Sequence, residues 1–133
     1  DFERHFLGQW RARYPDADWV RPENRQTHYV DSDPSGAYDA ARTHAIFSAP
    51  GFFETMPPIP GAVEALLEMD REPGVRVRIC TAPFGDGEGM ERCKREKLAW
   101  VRRVLGERWT HDDKFSCTKD KSVVPGALLI DDK

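Results

Sequence analysis

The sequence has few cysteines and no long hydrophobic run. Its 133 residues include three cysteines, Cys80, Cys93 and Cys117, and none of them belongs to a CxxC pair. An odd number of cysteines without metal-ligand spacing favours a reducing, intracellular compartment. No apolar segment approaches the ~20 residues that a membrane-spanning helix needs. The first residues, Asp-Phe-Glu, lack the basic start and apolar centre of a secretory signal.

Neither sign of charge dominates the sequence. Lys and Arg total 20 and Asp and Glu total 23, which gives a formal net charge of −3. Proteins that bind a nucleic-acid backbone are normally basic, so this balance argues against that class. The hydrophobic share of 39% is enough to build a core, which argues against wholesale disorder. The length indicates one domain.

The first half of the chain is predicted to form helices separated by breaks. Four aromatic residues recur at every fourth position and predict a helix that ends before Pro15; they are Phe2, Phe6, Trp10 and Tyr14. We interpret Phe6 and Trp10 as core residues. A second helix is expected over 37–48. Residues 48–61 should be irregular because four prolines remove backbone donors, and Pro60 should begin a third helix.

The second half of the chain has the pattern of an α/β fold. Alternating Val and Arg residues over 75–79 predict a strand that ends at Thr81. A polar turn at 85–89 should lead into a helix closed by Gly106, and a short strand is expected within 113–122. The apolar run 127–130 is typical of a buried strand in a parallel sheet. Helices that alternate with such strands indicate a layered α/β fold.

Polar side chains follow three of the predicted strands. Thr81, Lys121 and the pair Asp131–Asp132 each lie just beyond a strand end, where ligands bind in open α/β sheets. A strand-end hydroxyl beside backbone N–H groups suits a phosphate oxygen, and an ammonium neutralises its charge. Paired carboxylates suit Mg²⁺. The sequence therefore predicts a site that handles a phosphoryl group, although none of these residues is an obvious nucleophile.

Several segments resemble a known family. "ICTAP", "KDKSVV" and "LLIDDK" are similar to the second, third and fourth motifs of the haloacid-dehalogenase-like phosphatases. "PGFFE", "PIPGAVEALLEM" and "EKLAWV" more narrowly resemble the 5′(3′)-deoxyribonucleotidases. The resemblance implies a Rossmann-like parallel sheet with a small helical cap, truncated at both ends. Residues 1–74 would form the mostly helical cap region and first core helix, and residues 75–133 the α/β core with the phosphate and metal motifs.

The resemblance implies a Mg²⁺-dependent phosphatase that hydrolyses (deoxy)nucleoside monophosphates through an aspartyl-phosphate. Thr81, Lys121 and Asp132 would be catalytic, and Asp131 and Asp132 would hold the metal. The phosphate would be bound by Thr81, Ala82, Lys97 and Lys121. Ala82 stands where the family has a serine, which removes one hydroxyl donor.

The resemblance also implies a base-binding group and a set of partners. Phe2, Tyr29 and Phe52 fall at positions where the family uses aromatic rings around the base, and His28 replaces another aromatic. Phe52 and Phe53 are expected to divide between base and core. The expected partner is a nucleoside monophosphate, without a nucleic-acid polymer or a membrane, in a cytoplasmic or mitochondrial protein. Family members are commonly dimers, so a homodimer is a further expectation.

The first motif of the family does not occur in the sequence. Asp1 matches the last aspartate of that motif, so the Asp-x-Asp-Gly nucleophile and acid/base would lie upstream. We therefore expect activity in the native-length protein and inactivity in these 133 residues alone. Two alternatives remain open at this point: a non-catalytic relative that binds a nucleotide or a partner, and a related phosphatase for another phosphomonoester.

Overall fold

The computed structural model describes residues 1–130, which form four α-helices and a two-stranded parallel sheet. The helices are α1 (Phe2–Arg13), α2 (Ala40–Phe47), α3 (Ala62–Met69) and α4 (Gly87–Leu105). The strands are β1 (Ile79–Thr81) and β2 (Phe115–Cys117), with Ile79 opposite Phe115 and Thr81 opposite Cys117. Short 3₁₀ turns occupy Pro22–Asn24, Val30–Ser32, Glu107–Thr110 and Lys121–Val123. The predicted α/β class is confirmed.

Helix α1 supplies the centre of an aromatic core. Phe6 and Trp10 are buried, as the four-residue spacing predicted, and both contact the ring of Tyr38. The Asp1 carboxylate accepts the Arg4 N–H and begins the helix, as aspartate commonly does at this position. The core contains Phe6, Trp10, Val30, Tyr38, Ile46, Phe52, Phe53 and Cys93. Because Cys93 belongs to α4, the predicted segments 1–74 and 75–133 both contribute residues to this core. The division of the chain between residues 74 and 75 stays a prediction.

The long connection between α1 and α2 is held by specific hydrogen bonds. The Tyr38 hydroxyl bonds both the N–H and the carbonyl of Val20, each at 2.9 Å. The Trp10 indole N–H donates to the Asp18 carbonyl at 3.1 Å. Asp33 accepts the N–H groups of Gln26 and Ser35. The Ser35 side chain lowers the pKa of the Asp33 carboxyl most, and these two backbone bonds lower it further. This connection therefore has a defined path although it contains little regular structure.

Three predicted features differ in the structure. The strand expected from residue 75 begins only at Ile79, because its pairing with β2 spans three residues. The run 127–130 is not a strand, and Leu128 and Ile130 are 81% and 80% exposed. Within residues 1–130 no strand edge pairs with this run, and an apolar sequence becomes a strand only where another backbone supplies hydrogen bonds. Helix α3 begins at Ala62 after Gly61 (φ 80°), so Pro60 precedes the cap.

A buried carboxylate ties the end of α3 to both strands. The Asp70 side chain is 4% exposed and accepts hydrogen bonds from the Lys114 ammonium and, at 2.8 Å, from the Arg108 guanidinium. It also accepts the Val77 N–H at 3.4 Å, just before β1. The hydrogen bond from Lys114 is the main reason that the pKa of Asp70 is lowered. Since Lys114 directly precedes β2, Asp70 helps to fix the two strands side by side.

We predict that Asp70→Asn destabilises the fold by about 2 kcal/mol at neutral pH, because Lys114 and Arg108 lose the negative charge and one of the two acceptor oxygens of this side chain. A lowered pKa in the folded state means that the stabilisation is present above the unfolded-state pKa and disappears as the pH falls through the folded-state value. The difference in unfolding free energy between wild type and variant, from denaturant titrations, should therefore shrink below about pH 4. The control is Glu72→Gln, at an exposed position. Equal losses in the two variants would contradict the prediction.

Candidate functional site

The carboxyl end of the small sheet brings two predicted phosphate-binding segments together. Thr81 is the last residue of β1, and it pairs with Cys117, the last residue of β2. The Thr118 N–H then donates to the Thr81 carbonyl at 2.9 Å. Because the strands are parallel, the chain leaves both at the same edge, towards Ala82 on one side and Lys121 on the other.

Lys97 connects helix α4 to this strand end. Its ammonium donates to the Thr81 hydroxyl oxygen at 2.9 Å and to the Ala82 carbonyl at 2.6 Å. Burial lowers the pKa of Lys97, and the positive charge of Lys121 lowers it further, while the neighbouring thiols Cys93 and Cys117 act in the opposite direction. The Lys97 ammonium and the Thr81 hydroxyl therefore lie together at the strand end, which is an arrangement suited to an anion.

Lys121 lies on a short turn that begins from Asp120. The Asp120 carboxylate accepts the Ser122 N–H at 3.0 Å and its hydroxyl at 2.6 Å, and both bonds lower the pKa of Asp120. This capping fixes the backbone of the turn Lys121–Val123. The turn that carries Lys121 thus follows β2 on the side of the sheet where β1 ends at Thr81, and the roles of both residues stay predictions.

A cavity of about 500 Å³ opens beside this region. Its wall contains three of the residues predicted to bind a base, Phe2, His28 and Tyr29, together with Ala82 and Lys97. The volume lies in the range of small-molecule sites, and its wall is mainly apolar, with several aromatic rings and a few polar groups. Lys97 thus belongs to both the strand-end region and the cavity.

The two adjacent phenylalanines, Phe52 and Phe53, differ in their relation to the cavity. Phe52 is 3% exposed and packs in the core, with its ring 5.8 Å from that of Phe2 and 5.1 Å from that of Phe53. Phe53 lines the cavity, and the Lys97 ammonium lies 5.0 Å from the centre of its ring. Both residues thus belong to the core, and of the two Phe53 lines the cavity, whereas Phe52 was predicted to contact the base.

Sequence reasoning missed the contribution of α2 to the cavity. Thr43, His44 and Phe47 occur on one side of this helix and line the wall. The Thr43 hydroxyl is buried and has no hydrogen-bond partner among residues 1–130. The spacing of Thr43 and Phe47, four residues apart, is the signal that could have identified this face. Phe84, which also lines the wall, carried no such signal.

The predicted metal ligands, Asp131 and Asp132, lie outside the described residues. Within residues 1–130, no three His, Cys, Asp or Glu side chains are grouped so as to hold a metal ion. In the same part of the chain, none of the helices combines the length and the apolar character needed to cross a bilayer. The metal site stays a prediction, as does the homodimer.

Comparison with known proteins gives consistent matches over the whole chain. The family described as 5′ nucleotidase, deoxy (pyrimidine), cytosolic type C protein matches residues 3–133. A Bordetella pertussis protein with the provisional name 5′(3′)-deoxyribonucleotidase is 41% identical over 133 residues. These residues are all of this chain and 68% of that protein. The human 5′(3′)-deoxyribonucleotidases of cytosolic and mitochondrial type are each 36% identical, again over the entire chain, which covers 65% and 57% of their lengths.

We predict that Lys97→Gln weakens the binding of inorganic phosphate to this chain about tenfold, because a charged donor at the strand end is lost. Isothermal titration calorimetry measures the change in Kd. The matched control is Lys94→Gln on the same helix, where the ammonium pairs with Glu91 at 2.7 Å. Unchanged phosphate affinity in Lys97→Gln, or an equal loss in both variants, would contradict the assignment of Lys97 to the anion site.

Proposed function

Because the chain belongs to the 5′ nucleotidase, deoxy (pyrimidine), cytosolic type C family, we propose that it binds a deoxynucleoside monophosphate, with the phosphate at Thr81 and the base in the cavity. In the native-length protein, the bound nucleotide is hydrolysed to a nucleoside and phosphate. The observation that carries the proposal is the position of Lys97, which hydrogen-bonds Thr81 and also lines the aromatic cavity. Lys97 thus lies between the strand end proposed for the phosphate and the cavity proposed for the base.

The phosphate end of the proposal rests on the donors at the strand end. A lysine ammonium has three donors, and Lys97 uses two of them for Thr81 and Ala82 within the described residues. The third is available for a phosphate oxygen, together with the Thr81 hydroxyl. Lys121 adds a second positive charge from the neighbouring turn. A phosphate monoester carries almost two negative charges at neutral pH, so two ammonium groups balance it.

The base end of the proposal rests on the shape and composition of the cavity. Phe2 and Phe53 offer aromatic surfaces on which a planar base can stack. Tyr29 is 62% exposed, and its ring lies 5.1 Å from that of His28 in an edge-to-face arrangement. His28 can give or accept a hydrogen bond where a purely apolar ring cannot. The cavity therefore combines stacking surfaces with at least one polar group.

The chemical step is proposed from the family. Asp131 and Asp132 would hold Mg²⁺, a hard cation that prefers carboxylate oxygens and reduces the negative charge around a phosphoryl group. An aspartyl-phosphate route also needs a nucleophilic aspartate and a second aspartate as acid and base. These two would come from an Asp-x-Asp-Gly sequence, which does not occur in the 133 residues. The residues of this chain bind and orient the phosphate, and Lys121 stabilises the charge that develops on it.

We predict that the native-length protein releases phosphate from dUMP or dTMP when Mg²⁺ is present. Lys121→Ala and Asp132→Asn should each lower kcat/KM at least ~100-fold, because both remove charge that stabilises the transition state. Phosphate release is measured colorimetrically. The control is Lys119→Ala, which removes an exposed ammonium two residues away.

Two outcomes would contradict this function. Undiminished hydrolysis in the two site variants would reject the assigned roles. A wild-type protein that binds nucleotide without releasing phosphate would instead favour a non-catalytic binding protein.

A further inference from the structure

Helix α4 holds the irregular segment between α2 and α3 through one row of side chains. The row consists of Arg92, Glu96, Trp100 and Arg103. These positions are four, four and three residues apart, so they lie along one side of the helix. Three of these side chains donate to backbone carbonyls at 2.6–2.8 Å. Arg92 donates to Ser48, Trp100 to Met56 and Arg103 to Glu54.

Glu96 differs from the others in the row because it accepts hydrogen bonds. Its carboxylate accepts the Gly51 N–H at 2.8 Å and the Phe53 N–H at 3.1 Å, one on each oxygen. The residue is 7% exposed, and the nearest ion pair is a long one, 3.9 Å to Arg92. Gly51 has φ 82°, a conformation that favours glycine and lets the two N–H groups point towards the same carboxylate.

Glu96 and Lys97 act on the same aromatic residue from adjacent positions of α4. Glu96 fixes the backbone of Phe53, and the Lys97 ammonium lies 5.0 Å from the centre of the Phe53 ring. Lys97 also donates to Thr81 at the phosphate end. One turn of α4 therefore fixes the backbone of Phe53 relative to Thr81.

We propose that Glu96 is a positioning residue for nucleotide recognition, which holds the Phe53 ring on the cavity wall where the base packs. This inference rests on the proposed function, since it assumes that the cavity receives a base. Glu96 does not touch the ligand itself. It acts through two backbone hydrogen bonds, and the neighbouring donors of the row hold the segment on both sides.

The chemistry of the carboxylate defines the most informative substitution. Glu96→Gln keeps the size of the side chain and one acceptor oxygen, but its NH₂ group cannot accept from a backbone N–H. One of the two N–H groups then loses its partner in a buried place. The donors Arg92, Trp100 and Arg103 are unchanged, so the surrounding segment keeps its other attachments to α4.

The test compares two substrates of the native-length protein, dTMP and 2-deoxyribose 5-phosphate, which differ by the base. We predict that Glu96→Gln raises KM for dTMP about tenfold, because loss of a buried hydrogen bond releases Phe53. The kcat/KM for deoxyribose 5-phosphate should stay within about twofold of wild type. The matched control is Glu91→Gln, an exposed carboxylate on the same helix. Phe53→Leu should reproduce the selective loss, and adding Glu96→Gln to it should have little further effect.

The possible results separate this inference from the proposed function. Equal losses for both substrates in Glu96→Gln would assign it a purely structural role and overturn the inference. If the wild-type protein hydrolyses neither compound, the proposed function is rejected. The comparison of variant and wild type is then made with the Kd values for dTMP and inorganic phosphate. In that case, selectively weaker dTMP binding in Glu96→Gln supports the positioning role, whereas equal binding by variant and wild type, or no binding by wild type, overturns it.

Discussion

The hydrogen bond from Lys97 to Thr81 is the interaction on which the arrangement of the site depends. It requires β1 to end at the same edge as β2, and it requires α4 to cross that edge at the level of residue 97. Burial and the charge of Lys121 both act against the ammonium form of Lys97, and no carboxylate of residues 1–130 pairs with it closely. The ammonium is held in this partly buried place by its hydrogen bonds to Thr81 and Ala82 and by the ring of Phe53, 5.0 Å away.

The cavity wall is a continuation of the aromatic core. The ring of Phe52 lies 5.8 Å from Phe2, 5.5 Å from Phe47 and 5.1 Å from Phe53, and the last three line the cavity. Edge-to-face contacts of this type favour particular ring orientations as well as burial. A ring that faces the cavity is thus supported from behind by a buried ring. This support explains how an aromatic surface can remain in place beside an open volume instead of collapsing into it.

The sequence predicted those parts of the fold that depend on neighbouring residues. The aromatic spacing of α1, the glycine end of α4 and the strand before Lys121 are local patterns, and each is present in the structure. The parallel pairing ends both strands at one edge, with Thr81 opposite Cys117, and the joint role of Thr81 and Lys121 stays a prediction. The prediction of a strand over 127–130 was wrong for the described residues, because a strand forms only where another part of the chain pairs with it. The backbone of Phe53, which lines the cavity where Phe52 was expected, donates a hydrogen bond to Glu96, forty-three residues away along the chain.

Helix α4 connects the end of β1 at Thr81 with the segment that carries Phe53. One of its rows, with Cys93 and Lys97, faces the strand ends: the Cys93 sulfur accepts the Phe84 N–H at 3.2 Å and Lys97 reaches Thr81. The row that contains Glu96 holds the segment carrying Phe53. Both rows belong to one continuous helix of 19 residues, so the two regions cannot shift independently without breaking its backbone hydrogen bonds. For the proposed ligand, with a charged end and a planar end, the spacing between its two places would be set by the geometry of one helix rather than by two separate loops.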